Sequence, residues 1–223
     1  MRALLRVYAD DRSFHAGTIP VGSSTKRFVD ISLALGGVLL LSPVLIGCLV
    51  AVAITTKGSP IFSHQRIGFQ GKRFGCLKFR TMVRNGDERL CDCFAKNPDA
   101  KREWEENQKL RHDPRVTALG AVLRRYSLDE LPQLLNVLKG DMSIVGPRPI
   151  TEGEIARYAT AAGSYLACRP GITGLWQVSG RSSTSFAKRI EYDRAYAETW
   201  SLIGDVKIML LTIPAVLDSR SAY

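Results

Sequence analysis

The chain has few of the residues that bind zinc or form redox pairs. Its 223 residues include three scattered histidines and five cysteines, an odd number without a Cys-x-x-Cys pair or a Cys/His ligand spacing. Cys91 and Cys93 alone are weak evidence for a metal or redox site. A zinc site and a histidine-based triad are therefore not predicted, and free thiols are typical of a reducing cytoplasm.

Acidic residues are scarce relative to basic ones. The chain carries 31 Lys and Arg against 21 Asp and Glu, a formal net charge of +10. A charge of this sign favours nucleic acid, anionic lipid headgroups or phosphorylated substrates as partners. No recognition helix, zinc finger or RNA-binding signature accompanies the charge, so nucleic acid is not expected as a partner.

The sequence also has no cleavable signal, because its apolar stretch begins late and lacks a small-residue cleavage site close behind it. Residues 1–24 show no clear period and are predicted to form a loose N-terminal tail. A content of 45% hydrophobic and 23% charged residues is typical of a folded protein. The length fits one domain with a core of its own.

One long apolar run covers residues 28–54 and has the length that a bilayer-crossing helix needs. Ser42 and Pro43 lie near its middle, where proline removes a backbone hydrogen bond and bends a helix. Basic residues flank both ends, and the positive-inside rule places both ends on the cytoplasmic face. We therefore predict a re-entrant membrane helix over residues 25–56, broken at Ser42 and Pro43, rather than one spanning helix or a buried core helix.

Two extended segments around the turn at Gly68 and Gly71 predict a small β-hairpin. In the second segment Lys78 and Arg80 alternate with apolar residues and so share one face. That face would either line an anion site or carry solvated charges on an edge strand, and the pattern alone favours neither.

Two adjacent acids, Asp129 and Glu130, follow Ser127. This spacing fits a capping box, in which a serine starts a helix and a glutamate reaches back to its backbone. Pro132 is comfortable only in a first helical turn, so we expect the helix to begin between Glu130 and Pro132. The two carboxylates would then lie at the helix entrance, where neighbouring residues can share a site. A capping role and a shared active site both stay open.

A Gly-Pro-Arg-Pro segment follows this helix. Pro147 and Pro149 restrict the backbone on both sides of Arg148, so its guanidinium loses little entropy when it binds an anion. A guanidinium also offers a planar fork that matches phosphate oxygens. Arg124 ends a predicted helix and points toward the acids. A Gly-rich loop that ends at Arg181 is expected to expose backbone N–H groups to anions.

Other segments with helical patterns complete the chain. They comprise a charged, solvated region at 85–115, a helix at 117–126, a helix at 151–167, an amphipathic helix at Phe186–Glu198, and an apolar run at Leu202–Leu217 that Pro214 breaks. The last run is too short to span a membrane. We expect it in the headgroup region or against the re-entrant helix.

The motifs taken together resemble the bacterial sugar transferase family. The resemblance rests on ordered segments that cover most of residues 26–217, namely 26–28, 65–68, 71–72, 78–82, 127–133, 136–143, 146–149 and 170–174. Members of this family are monotopic phosphoglycosyl transferases, which move a sugar phosphate from a UDP-sugar to a polyprenyl phosphate such as undecaprenyl phosphate. The resemblance implies a mostly helical α+β fold whose catalytic domain, residues 57–223, lies on the membrane interface.

The resemblance also implies roles for the candidate site residues. Asp129 is expected to attack the sugar-bearing phosphorus, and Glu130 to act as a base toward the acceptor phosphate or as an orienting group. Mg²⁺ is expected between Asp129 and substrate oxygens, because it prefers such ligands and because two buried acids without a cation would force one to stay protonated. The residues expected to bind substrate phosphates are Arg148, Arg124, Lys78, Arg80 and Arg181.

The expected partners are a UDP-sugar donor, a polyprenyl phosphate acceptor and anionic lipids, on the cytoplasmic face of a bacterial inner membrane. One apolar entry segment directly before the catalytic part resembles exopolysaccharide-initiating members that use galactose or glucose. An acetamido sugar, a homo-oligomer, and a non-enzymatic basic membrane anchor that recruits partners all stay open.

Overall fold

The computed structural model describes residues 19–56, 58–107, 110, 112–180 and 184–217. The predicted phosphate-binding residue Arg181 and most of the predicted N-terminal tail lie outside these ranges. Within them the chain is mostly helical with short strands, which confirms the predicted α+β class.

The regular elements are numbered here in chain order. The helices are α1 Ser23–Leu40, α2 Ser42–Thr56, α3 Gly86–Lys96, α4 Pro98–Asn107, α5 Ala118–Arg125, α6 Gln133–Lys139, α7 Glu152–Ile155, α8 Ala162–Leu166, α9 Leu175–Ser179, α10 Phe186–Glu198 and α11 Leu202–Leu217. The strands are β1 Ile61–Ile67, β2 Arg73–Phe79, β3 Ser143–Val145 and β4 Gly171–Thr173, and 3-10 turns cover Phe69–Gly71, Leu128–Glu130 and Ala156–Ala161.

The predicted break in the apolar run lies between α1 and α2, whose axes differ by 65°. Pro43 has no N–H to donate to the carbonyl of Leu39, and the hydroxyl of Ser42 donates to that oxygen at 2.8 Å instead. Within the described ranges, no single helix has the length and apolarity to cross a membrane, whereas the bent pair α1 and α2 has both. The bend is confirmed, and membrane insertion stays a prediction.

The predicted hairpin is also confirmed, since β1 and β2 pair in antiparallel register with Phe62 opposite Lys78 and His64 opposite Cys76. Because side chains alternate along a strand, His64, Cys76 and Lys78 share one face with Arg66. This hairpin face carries three basic or titratable side chains around a buried thiol.

A second, parallel pair of strands was not predicted. β3 and β4 pair where the sequence indicated a loop. Here the N–H of Gly171 donates to the carbonyl of Pro147 at 2.8 Å, and the N–H of Gly146 to that of Thr173 at 2.9 Å. The expectation that this loop exposes its N–H groups to anions is wrong for Gly171, because the backbone uses that N–H internally.

Buried polar contacts fix α1 to the rest of the chain. Lys26 donates to Asp205 of α11 at 2.6 Å, and Asp30 accepts from the hydroxyl of Ser143 at 2.9 Å and the N–H of Ile144 at 3.0 Å. These contacts explain the isolated acid in the apolar run. They also confirm that the C-terminal apolar segment lies against the predicted re-entrant helix, although α11 continues through Pro214 instead of breaking there.

The helix predicted at 151–167 is interrupted. A kink at Ala159, with φ 45° and ψ −123°, separates α7 from α8. The chain does contain a capping box, and it lies at Thr151 and Glu154, where α7 begins.

Candidate active site

The two acids lie in the 3-10 turn that precedes α6, and Pro132 is the N-cap of that helix. Their place at a helix entrance is therefore confirmed. Ser127 has a left-handed backbone, with φ 54° and ψ 21°, and in the described structure its side chain caps no N–H. The capping-box interpretation of Ser127 and Glu130 is wrong. A serine in this conformation costs on the order of 1 kcal/mol, which the surrounding contacts must offset.

Asp129 is a buried carboxylate with 8% of its surface exposed. Burial raises the pKa of Asp129 to about 6, the charge of Lys78 lowers it, and the neighbouring Glu130 raises it. Among the described residues, no Lys or Arg lies within 4 Å of its carboxylate oxygens. Asp129 is thus desolvated and near positive charge, but not neutralised by an ion pair.

Glu130 is held by Lys78, whose ammonium donates to Oε1 at 2.5 Å. The two side chains remain about a third exposed, at 35% and 29% respectively. Lys78 is therefore a cation that relieves the repulsion between the adjacent acids, a role expected from the sequence only for a metal ion.

Arg124 reaches the site from α5, where its Nε donates to Oγ1 of Thr81 at 2.9 Å. The close approach of α5 to Thr81 requires a glycine at position 120, because a Cβ there would collide with the carbonyl of Thr81. Arg80, by contrast, donates to the carbonyl of Ser59 at 2.9 Å and stacks over Phe62 at 5.7 Å. Arg80 therefore lies at the rim of the site.

Arg148 belongs to a second group, which we call the arginine cluster and define as Arg66, Arg148 and Arg189. The guanidinium carbons of Arg148 and Arg189 lie 5.7 Å and 4.5 Å from the ring centre of Trp176. Burial lowers the pKa of Arg66, and the charge of Arg148 lowers it further. In the described chain neither Arg148 nor Arg189 has a carboxylate within 4 Å, so the cluster keeps positive charge for a ligand.

A buried acid, Asp193 of α10, lies beneath this cluster. The hydroxyl of Tyr158 donates to its Oδ2 at 2.8 Å. Burial raises the pKa of Asp193 to about 7, while the hydrogen bond from Tyr158 and the charges of Arg148 and Arg189 lower it. Asp193, Arg66 and Arg189 were not among the predicted site residues. Arg66 lies in the segment 65–68 that carries the family resemblance, whereas the only sequence signal for Arg189 and Asp193 was charge on the amphipathic pattern of α10, which resembles any solvated helix face.

The hairpin face connects the acid pair with the arginine cluster. Cys76 lies between Lys78 and Arg66 on that face. Burial raises the pKa of the Cys76 thiol, and the charges of Lys78, Glu130, Arg66 and Arg148 all act on it. The structure therefore brings Asp129, Glu130, Lys78 and Arg124 together and places Arg148 on the adjoining surface.

The acid pair offers limited ligands for a metal ion. Within the described residues no group of three His, Cys, Asp or Glu side chains could hold one. Of these two acids, Asp129 provides a desolvated carboxylate without an ion-pair partner among the described residues, while Glu130 is neutralised by Lys78. Such a site fits Mg²⁺ if substrate phosphates and water supply the other ligands, which is how this ion is commonly bound.

A desolvated carboxylate near Lys78 and Arg124, beside an arginine cluster, has the chemistry needed to bind and transfer a phosphate-bearing group. The family described as bacterial sugar transferase matches residues 21–219. The chain belongs to this family, which confirms the predicted resemblance and the predicted sugar-transferase class of enzyme.

Relatives with known names agree with this assignment. The chain is 50% identical over 204 residues to the exopolysaccharide production protein ExoY of Rhizobium meliloti, covering 92% of this chain and 90% of the relative. It is 46% identical over 199 residues to the undecaprenyl-phosphate galactose phosphotransferase of Salmonella typhimurium, covering 89% of this chain and 41% of the relative. It is 40% identical over 206 residues to the UDP-glucose:undecaprenyl-phosphate glucose-1-phosphate transferase of Caulobacter vibrioides, covering 89% of this chain and 72% of the relative.

Proposed function

We propose that the protein transfers a hexose-1-phosphate from a UDP-sugar to polyprenyl phosphate and releases UMP, as the first membrane step of exopolysaccharide synthesis. The observation that carries this proposal is the buried, unpaired carboxylate of Asp129 beside the Lys78–Glu130 ion pair. Galactose and glucose are the proposed sugars because relatives are named for them. An acetamido sugar is the alternative donor.

In the first step, an ionised oxygen of Asp129 attacks the sugar-bearing phosphorus of the UDP-sugar. A bond forms between that oxygen and phosphorus, and the bond from phosphorus to the bridging oxygen breaks. UMP leaves with the electron pair, and the chain retains an acyl phosphate that carries the sugar. Covalent catalysis of this kind divides one difficult displacement into two easier ones.

In the second step, an oxygen of polyprenyl phosphate attacks the same phosphorus and breaks its bond to Asp129. The product is a polyprenyl diphosphate sugar, and the carboxylate is regenerated. Glu130, held by Lys78, orients the acceptor phosphate or takes its proton. Arg124 and the arginine cluster bind the diphosphate oxygens, where fixed guanidinium groups stabilise developing charge.

A divalent ion completes the site in this proposal. Asp129 would hold Mg²⁺ together with substrate oxygens, and the ion would neutralise phosphate charge as the anionic carboxylate approaches. Two side chains of the protein contribute further positive charge. Lys78 partly compensates the negative charge of the two acids, and Arg124 faces them from α5.

The proposed place of reaction is the cytoplasmic face of a bacterial membrane, with α1 and α2 re-entrant. Large apolar side chains of these helices and of α11 face outward, among them Phe28, Leu40 and Ile203 at 73%, 81% and 69% exposure. Such contiguous apolar surface is typical of membrane contact. The basic excess of the chain favours anionic headgroups beside it.

The direct test is to incubate the purified protein with Mg²⁺ and a UDP-sugar that is radiolabelled at its sugar-bearing phosphate, without an acceptor lipid. The wild-type chain should release UMP and become labelled, and Asp129→Asn should do neither. Asp92→Asn, which changes an exposed acid of α3 in the same way, should behave as the wild type. If Asp129→Asn still becomes labelled, Asp129 is not the nucleophile.

A panel of UDP-sugars in the same assay identifies the donor. UDP-galactose or UDP-glucose should give the fastest UMP release, and faster release from an acetamido sugar would overturn the hexose assignment. A chain that releases no UMP from any donor would favour the non-enzymatic anchor.

A further inference from the structure

A groove opens at the start of α1, away from the acid pair. Its volume is about 340 Å³, and it lies between the first turns of α1 and Arg169. We call it the α1 groove and define it by Ile19, Ser24, Arg27, Phe28, Ile31 and Arg169.

Two guanidinium groups form the polar side of the α1 groove. Arg27 donates to the carbonyls of Val137 and Leu138 at 2.6 and 2.9 Å, and Arg169 donates to the carbonyl of Gly140 at 3.0 Å. These bonds to the end of α6 fix both side chains. Each guanidinium has five N–H donors, so most of them remain for a ligand.

The two positive charges have no ion-pair partner among the described residues, although the charge of the buried Asp30 acts on Arg169. Among the described residues, no carboxylate lies within 4 Å of Arg27 or Arg169. Burial lowers the pKa of Arg169, and the charge of Arg27 lowers it further. Two adjacent cations that the backbone holds in place are a preorganised site for a doubly accepting anion such as a phosphate.

The first turn of α1 adds to this positive potential. Gly22 is the N-cap, and in the described structure no side chain accepts a hydrogen bond from the helix start. The first turn has no acid, and Ser24 lies exposed within it beside the groove. The positive end of an 18-residue helix thus supports the two arginines.

The opposite side of the α1 groove is apolar and open. Ile19, Phe28 and Ile31 are 62%, 73% and 39% exposed. An inorganic anion would use only the polar side, whereas a ligand with an anionic head and hydrocarbon chains would use both. Phe28 and Ile31 also begin the outward face of α1, so such chains would continue along the apolar surface of the helix.

We propose that the α1 groove binds the phosphate of an anionic glycerophospholipid, with its acyl chains along Phe28 and Ile31. This proposal rests on the membrane placement proposed above and adds a lipid site outside the reaction. The groove lies at the end of α6 opposite to Asp129, and seven helical residues separate the ends by roughly 10 Å. A phosphate held in the groove would therefore lie too far from Asp129 to be the phosphate that reacts there.

The test is a titration of the detergent-purified full chain with phosphatidylglycerol, read by native mass spectrometry, beside phosphatidylcholine and inorganic phosphate. Ser24→Asp should weaken phosphatidylglycerol binding by about tenfold, because it places a negative charge at the groove. An acid in the first turn stabilises a helix, so the variant should keep its thermal stability. Arg102→Gln, an exposed base of α4, is the control and should bind as the wild type.

The double variant Arg27→Gln, Arg169→Gln should lose more affinity than Ser24→Asp. Equal affinity of the wild type and Ser24→Asp would overturn the proposal. Complete displacement of the lipid by equimolar inorganic phosphate would show an anion site without lipid preference, and displacement by polyprenyl phosphate would make the groove part of the acceptor path. Either result also overturns it.

UMP release measured in the same samples separates the two proposals. A chain that releases UMP without binding phosphatidylglycerol overturns the lipid site alone. A chain that binds the lipid and releases no UMP overturns the proposed reaction alone.

Discussion

The ammonium of Lys78 donates to Oε1 of Glu130 at 2.5 Å, across 52 positions of sequence. The same positive charge lowers the pKa of Asp129. One cation on β2 therefore serves two adjacent acids, since it forms an ion pair with one and favours the ionised form of the other.

Replacing Lys78 tests this relationship. Lys78→Gln should lower kcat for UMP release by about 10²–10³-fold, the size of effect seen when one electrostatic group of an active site is removed. Lys78→Arg keeps the charge and should retain part of the activity. The matched control is Arg73→Gln, which removes a base from the same strand and breaks its ion pair with Glu152. If Arg73→Gln lowered kcat for UMP release as much as Lys78→Gln, Lys78 would have no special role.

The arginine cluster gives a second prediction. Arg148→Lys keeps the charge but loses the planar fork, so kcat/KM for the UDP-sugar should fall by about tenfold. The same substitution at Arg102, exposed on α4, should have no effect. Unchanged kcat/KM in Arg148→Lys would exclude a two-oxygen contact between its guanidinium and the diphosphate.

The bend between α1 and α2 gives a third prediction. Pro43→Ala restores a backbone N–H that can donate a hydrogen bond to the carbonyl of Leu39. α1 and α2 should then approach one continuous helix, which would carry the N-terminus across the membrane. Ser42→Ala, which leaves proline in place, should keep the bend. Reporters fused to the N-terminus distinguish the two sides. A reporter that stays cytoplasmic in Pro43→Ala would remove Pro43 as the cause of the topology.

Local chemistry explains which features the sequence could predict. Pro43 in an apolar run, alternation around Lys78, and Pro132 after two acids are short-range signals, and each predicted its element. The parallel pairing of β3 with β4 joins Ser143 to Gly171. Strands of three residues have no period of their own, so that contact could not be predicted.

The active site divides in the same way. Asp129 and Glu130 are neighbours in sequence and carry recognisable motifs. Arg66, Arg189 and Asp193 come close only in the folded chain, where β1 packs against α7 and α10 packs against α8. Thr81 likewise gains its contact with Arg124 through the close approach of α5. Chemistry that depends on such long-range packing leaves no spacing that can be read from the chain.

The paired glycines beside Arg148 give a fourth prediction. A Cβ at Gly171 would collide with the backbone of Gly146, so Gly171→Ala should lower the free energy of unfolding by about 1–3 kcal/mol. Gly153→Ala is the control, because a Cβ there meets no atom within 4 Å among the described residues. Alanine also favours a helix, so this control should unfold at the same temperature or higher. Equal melting temperatures for both variants would contradict the packing argument.

The buried acid Asp193 gives a fifth prediction. Its pKa of about 7 in the folded state exceeds the value near 3.9 of an unfolded aspartate. The folded state therefore binds more protons between these values, and this contribution to stability is present below about pH 4 and is lost as the pH rises through about 7. Asp193→Asn should make the free energy of unfolding decline less steeply between about pH 4 and pH 7, and it should raise the melting temperature at pH values above about 7.

Asp113 is the contrasting control. Although burial alone would raise the pKa of Asp113, hydrogen bonds and charge from Arg115 hold it below its usual value. Asp113→Asn should therefore lower stability at neutral pH, the opposite sign. Melting curves of both variants across pH measure the difference, and parallel curves for Asp193→Asn and the wild type would show that Asp193 titrates normally.

The hydroxyl of Ser42 on the carbonyl of Leu39 has a consequence for the deepest point of the proposed membrane hairpin. In hydrocarbon, a lone carbonyl oxygen costs several kcal/mol and draws water toward itself. The serine satisfies that oxygen from within the chain. In the proposed membrane hairpin the bend could therefore remain dehydrated, and the bilayer beneath it would stay impermeable to ions.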